Sequence, residues 1–409
     1  MSKNFGTYCE DRLEEVFTSS DDLMNAIAFR EENTKRIAID AQKTKVWYGV
    51  EEEDGVIKLT SVSDFSDGSV KNIKNPNKLT EAMFHTANVG THLFLSVEKD
   101  KGPADFYPIS AVARPSLFNR CGNINLPGEF DEDCFLYKGA PIVTILNRGL
   151  RGNTSRKRTL KLSIVHDKII GVMSSHYSPA PQDELVKTTL ELLREKDGCE
   201  NVQIYGGTIS NTLYSVDYNL NKTVEIRGIK TELFLTVLNS DNGCSSLRFV
   251  PRCRISTRGN RSRLYSFPET EYAARHTGLT IENYRSGVDT SFRKLEDIPN
   301  LIVNAKEYTL TYPVKYVENV INKLKYDYHK GGGRISNSLA NRMLENIESA
   351  VAMGIYDENN PMTVMDVIDT FLQRVEDVET SPQHKEKLEA TIMGILYLEH
   401  AKFDVAYKK

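Results

Sequence analysis

No apolar run in this 409-residue chain approaches the roughly 20 residues a membrane-spanning helix needs, so no such span is expected. The six cysteines (Cys9, Cys121, Cys134, Cys199, Cys244 and Cys253) form no CxxC pair and no His/Cys cluster at metal spacing. They read as reduced thiols, with no zinc site and no disulfide framework. HExxH is missing, and His85 and His92 stand too far apart for a helical metal pair. The run Lys330-Gly331-Gly332-Gly333-Arg334 has the glycines of a phosphate nest without the spacing of a P-loop, and no strand leads into it. It reads as a joint between helices. Acid clusters such as Glu51 to Asp54 and Asp131 to Asp133 fall in expected loops and read as solvated surface. Neither a metal nor a cofactor is expected, and no nucleophile, base and orienting group assemble from neighbouring residues.

A global excess of positive charge is missing too. Net charge is −4 and the isoelectric point about 6.1, which excludes generic adhesion to nucleic acid. With 40% hydrophobic and 26% charged residues the composition is that of a globular protein of two or three domains.

The most informative absence is local. The chain holds 56 acidic residues, yet none lies between Pro141 and His166 or between Arg248 and Arg263. The first gap carries Arg148, Arg151, Arg156, Lys157, Arg158 and Lys161; the second carries Arg248, Arg252, Arg254, Arg258, Arg261 and Arg263. Cationic patches on a near-neutral body attract a polyanion by steering and counterion release. In the first stretch Gly149 and Gly152 allow close backbone approach, and Asn153, Thr154 and Ser155 can donate to phosphate oxygens. In the second, Arg248, Arg252 and Arg254 share parity, so one unbroken strand would point them to one face, although Pro251 favours an edge strand or a break. Tyr265, Phe267 and Tyr272 follow, and arginines interleaved with aromatics suit single strands, with bases stacked and phosphates tracked. His276, beside Arg275, is a further phosphate or acid/base candidate.

Ser20 to Phe29 reads as a helix capped by Ser20, Lys35 to Val50 as strand material, Val70 to Asn77 as a polar turn, and Lys78 to Val89 as helix. The region from Arg114 to Phe135 reads as loop. A hairpin is expected in LKLSIVHDKIIGVMSS, and SPAPQDELVKTTLELLREKDG is the clearest helix, with Leu185, Thr189, Leu192 and Leu193 on one face and Gly198 as its stop. From Asn201 to Thr257 the pattern is β-rich, with Asn242-Gly243 a hairpin signal. From Val314 onward it is helical.

Several of these segments together resemble a prokaryotic family of unknown function, the phage/plasmid-like protein family. The resembling pieces are LKLSIVHDKIIGVMSSHYSPAPQDELVKTTLELLREK, ELFLTVLNSDNGCSSLRFVPRCRIS, ARHTG and TVMDVIDTFLQ, in that order, over about half of the chain. Where the family tends to show a cysteine and an asparagine near RIST, this chain has Ser256, Thr257 and Asn260. The resemblance implies a mobile-element setting inside a bacterium and carries no reaction with it.

The expected fold is α+β, a twisted, largely antiparallel sheet packed by helices with a helical C-terminal region. The expected divisions are residues 1–113, 114–312 and 313–409. The first functional expectation is single-stranded DNA binding or annealing in the cytoplasm of a bacterial host, with the basic stretches on phosphates and homo-oligomerisation extending the groove. The alternatives are an interaction or anti-defence factor docking an acidic host partner, and a virion component.

Overall fold

The computed structural model describes residues 14–51, 56–60, 70–74, 91–122, 143–150, 158–210, 213–240, 242–243, 246–256, 263–267, 272–328, 335–376 and 382–406. The fold is α+β, and every strand ladder among these residues is antiparallel. The expected helix over LVKTTLELLR and the helical C-terminal region are both present.

The largest sheet runs in the order β1 (Glu14–Phe17), β10 (Gln203–Ser210), β11 (Tyr214–Ile226), β12 (Ile229–Asn239), β13 (Leu247–Ser256) and β14 (Arg263–Ser266), with β15 (Tyr272–Ala274) also paired to β13. Alternation gives it one apolar face. Tyr214, Val216 and Tyr218 on β11, Leu233, Leu235 and Val237 on β12, and Phe249, Cys253 and Ile255 on β13 are all buried in one core. Arg227 and Gly228, both at positive φ, close the β11–β12 hairpin, the two-residue turn that matches strand twist.

Helices cover that apolar face. They are α1 (Ser20–Glu32), α4 (Gln182–Arg194) and α5 (Ile281–Glu307), backed by α6 (Pro313–Tyr328), α7 (Asn337–Ala352), α8 (Val364–Glu376) and α9 (Pro382–Met393). On α4 the residues Leu185, Thr189, Leu192 and Leu193 are buried together. The cap of α1 is Ser19, one residue before the expected Ser20, and its hydroxyl accepts from the Asp22 N–H.

A second core lies elsewhere. It gathers Ile39, Val46, Leu93, Leu95, Leu160, Leu162, Ile164, Ile169 and Val172 with two short helices, α2 (Arg114–Arg120) and α3 (143–150). Two sheets supply it. One is β2 (Thr34–Asp40), β8 (Thr159–Val165) and β9 (Lys168–Ser174); the other is ordered β5 (Val70–Lys74), β4 (Val56–Thr60), β3 (Thr44–Glu51), β6 (Thr91–Val97) and β7 (Asp105–Pro108). The expected β8–β9 hairpin turns at His166 and Asp167, both at positive φ.

Three segments differ from the sequence reading. Val70–Lys74 is a strand, since β4 offers it a full antiparallel partner. Arg114–Arg120 is a helix, because Pro115 stands in its first turn, where no N–H partner is required. β13 runs unbroken through Pro251. β15 pairs with Leu247, Arg248 and Phe249 and β14 with Arg252 to Ile255, so on that flank the ladder skips Pro251, which has no N–H to give. The expected helix over Lys78 to Val89 and the Gly331 to Gly333 joint lie outside the described residues.

Candidate nucleic-acid interface

The two basic stretches have different surroundings. In the first, Arg148 is exposed on α3, and Gly149 follows it. A Cβ on Gly149 would lie 1.7 Å from the Cys121 carbonyl oxygen, so α3 meets the end of α2 backbone to backbone, a contact only glycine permits. Arg120 precedes Cys121. One glycine contact therefore sets α3 against the C-terminus of α2, whose last turn carries Arg120, where the negative end of the helix dipole favours a cation.

Arg158 joins them from the start of β8. Its carbonyl accepts the Ala41 N–H at 2.8 Å, which fixes the backbone while the side chain stays exposed. Burial first, and then the Arg158 charge, hold Arg120 below the ordinary guanidinium value. Burial likewise pushes the Cys121 thiol up to about 12, against the pull of Arg158, so that thiol stays protonated and is no nucleophile at neutral pH. The Arg120 Nε is buried and has no hydrogen-bond partner among the described residues. Nor does any carboxylate among the described residues pair with Arg120, Arg148 or Arg158. Two guanidinium groups with no described carboxylate paired to either repel each other, and a bound anion relieves that repulsion.

The remaining candidates of this stretch do not join the cluster. Lys161 donates its Nζ proton to the Tyr177 carbonyl at 2.5 Å and is held by that bond. Arg151, Arg156 and Lys157 lie outside the described residues.

In the second stretch Arg248, Arg252 and Arg254 do share one face of β13, opposite the core face. The charges of Arg252 and Arg254 are met there. Arg254 pairs with Glu232, directly opposite on β12, at 3.0 Å, and its guanidinium lies 4.9 Å from the ring centre of Tyr205 and 4.8 Å from that of Phe234. Arg252 reaches diagonally over β12 to Asp217 on β11 at 3.2 Å, and the Thr236 hydroxyl donates to the same carboxylate at 2.5 Å. The two arginine side chains are only 12% and 17% exposed. Arg258 and Arg261 lie outside the described residues, as does the side chain of Arg263.

The aromatic and histidine candidates are structural in their contacts. Phe267 is fully buried in the large core, and Tyr265 packs against it. His276 is 5% exposed, stacks on Tyr177 at 4.9 Å and 21°, and contacts the Ser178 carbonyl through Nδ1 at 3.3 Å. Burial lowers its pKa, and that backbone contact opposes the shift. It belongs to a buried polar junction between the two cores. There the Tyr177 hydroxyl donates to the Ser240 carbonyl at 2.8 Å, and Asn239 donates to the Ala180 carbonyl and to Gln182. Glu31 accepts both the Arg36 guanidinium and the Gln182 N–H.

Sequence reasoning missed Arg120, which stands outside both acid-free stretches and enters the cluster only through tertiary packing. It also missed Tyr205, whose single signal is a lone tyrosine before Gly206-Gly207. Among the described residues no group of three His, Cys, Asp or Glu side chains could hold a metal, and no helix is long and apolar enough to cross a membrane. No family model, curated protein or solved structure matches the chain.

Proposed function

We propose that the chain binds single-stranded nucleic acid, with DNA favoured, and that Arg120, Arg148 and Arg158 hold the phosphate backbone. The observation that carries this reading is that Arg120 and Arg158 interact without a carboxylate pairing with either among the described residues, while Gly149, the neighbour of Arg148, packs on Cys121. Charge that no carboxylate pairs among the described residues, on a body of net charge −4, is suited to a polyanion. The paired Arg252 and Arg254 are assigned to holding the sheet face instead. The setting that goes with this reading is the bacterial mobile element implied by the family resemblance, with an annealing or strand-protecting role and self-association along the strand.

The test is fluorescence anisotropy with labelled single-stranded and duplex DNA, titrated from low to physiological salt. The comparison is between the native chain and a variant carrying Arg120→Ala, Arg148→Ala and Arg158→Ala. Tight, salt-dependent binding is expected of the native chain. The variant should lose most of it, with the slope of log affinity against log salt shallower by about 2 for three lost phosphate contacts on a single strand. No binding at low salt overturns the reading, and native-like binding by the variant overturns the site. An acidic protein partner becomes the better reading in the first case.

A further inference from the structure

Tyr205 is the extra residue of a β-bulge. The β10–β11 register runs Ile204 to Tyr218 and then Gly206 to Asp217, leaving Tyr205 without an opposite residue. Bulges re-aim side chains, and this one is backed by the edge strand β1. A Cβ on Gly206 would lie 2.4 Å from the Phe17 carbonyl oxygen. Tyr205 is 47% exposed, whereas Tyr214, Tyr218, Phe234 and Phe249 on the neighbouring strands are all nearly inaccessible.

The exposed ring is nevertheless fixed. Its centre lies 5.4 Å from that of Phe234 at an interplanar angle of 78°. Phe234 is on β12, two strands away, so the tyrosine side chain crosses β11 to reach it. The Arg254 guanidinium is in contact distance of both rings. Glu232 and Asp217 neutralise Arg254 and Arg252, so the arginines beside the ring are held in place and their charges are compensated. A phosphate gains nothing from arginines already paired. An uncharged planar ring does gain, because it can stack on the aromatic face beside a guanidinium plane.

We infer that Tyr205, braced by Arg254 and Phe234, is a stacking site for one unpaired base. The inference rests on the nucleic-acid reading above and adds a base contact to its phosphate contacts. The partner it selects is a single strand, whose bases are free to turn outward, over a duplex.

The experiment compares an oligodeoxythymidine with an abasic deoxyribose-phosphate oligomer of the same length, on the native chain and on Tyr205→Ala and Tyr205→Phe. Tyr205→Ala should lose roughly five- to a hundredfold in affinity for the thymidine strand, the range for one lost base–aromatic stack, and nothing on the abasic strand. Tyr205→Phe should bind like the native chain. Tyr205→Phe should unfold at the native midpoint. Tyr205→Ala loses the contacts with Phe234 and Arg254 and should unfold at a somewhat lower midpoint, still in one transition, so the abasic strand serves as its control for folding. Equal losses on both strands, or no loss on either, overturn the stacking site. A native chain that binds both strands equally overturns it while leaving the phosphate reading in place, and one that binds neither sinks both.

Discussion

The two acid-free arginine stretches look alike along the chain and differ in space. Around Arg158 the fold brings a second cation, Arg120, and no carboxylate that pairs with either among the described residues. Around Arg252 and Arg254 it brings one acid each, from 35 and 22 residues away. The difference comes from secondary structure. A central strand of an antiparallel sheet has neighbours on both sides, so a row of like charges on it is stable only when adjacent strands supply the opposite charge on the same face. A strand entry beside the C-terminus of α2 has no such requirement, because the helix dipole already favours a cation there. Charge that the fold satisfies internally is architecture, and charge that it leaves unsatisfied is available to a ligand.

The largest effect that separates the stretches is on stability. Arg252→Ala removes one partner of a mostly buried pair and leaves Asp217 with the Thr236 hydroxyl as its remaining contact among those described. A loss of about 2–4 kcal/mol is expected in urea unfolding, because an uncompensated carboxylate remains in a poorly solvated place. Asp217→Asn together with Arg252→Ala should cost less than the sum of the two single changes. A cost below about 0.5 kcal/mol for Arg252→Ala would put that arginine back among surface charges and break the contrast.

What could be read from the sequence divides along the same line between local and tertiary causes. The β8–β9 hairpin and α4 were legible because alternation, turn residues and an apolar stripe at helical spacing are local. The path of β13 through Pro251 was not, since it depends on two short strands sharing one flank and skipping that residue. α5 was the least legible long element, with Gly287 and Pro299 inside it. Gly287 lies where its Cβ would meet the Phe249 ring, and Pro299 is buried, so packing against the sheet overrides both breakers. At the candidate site the same rule applies. Arg148 and Arg158 showed themselves as charge without acids, whereas Arg120 depends on Gly149 meeting Cys121, and the acids that claim Arg252 and Arg254 sit on other strands.

The junction between the two cores gives a pH test of how firmly the halves are joined. His276 is buried with a lowered pKa, so the unfolded chain takes up its proton first as pH falls. Its contribution is therefore fully present above the ordinary histidine value of about 6.5 and is lost as pH drops through the lower folded value. His166 and His400 are shifted in the same direction by burial. Burial raises the Asp369 carboxyl to about 6 and so favours the folded chain as pH falls through the same window, and the native profile balances three histidines against that acid. Between about pH 7 and pH 5 His276→Gln should lose less stability than the native chain, while the shares of the other two histidines and of Asp369 stay. An unchanged slope in the variant would show that His276 does not titrate with unfolding.

The smallest expected effect has the opposite sign and is the sharpest test of the comparison. Arg158 repels Arg120, and no acid among the described residues repays that repulsion. Removing it with Arg158→Ala should raise stability at low salt by about 0.5 kcal/mol, a value kept small because the Arg158 side chain is solvated. The gain should vanish as salt screens the pair. The same variant should bind single-stranded DNA more weakly, so stability and affinity move in opposite directions at this position. At Arg252 the removal of positive charge lowers stability. If Arg158→Ala also destabilises the chain, Arg158 has an acidic partner in the fold, and the distinction between the two stretches disappears.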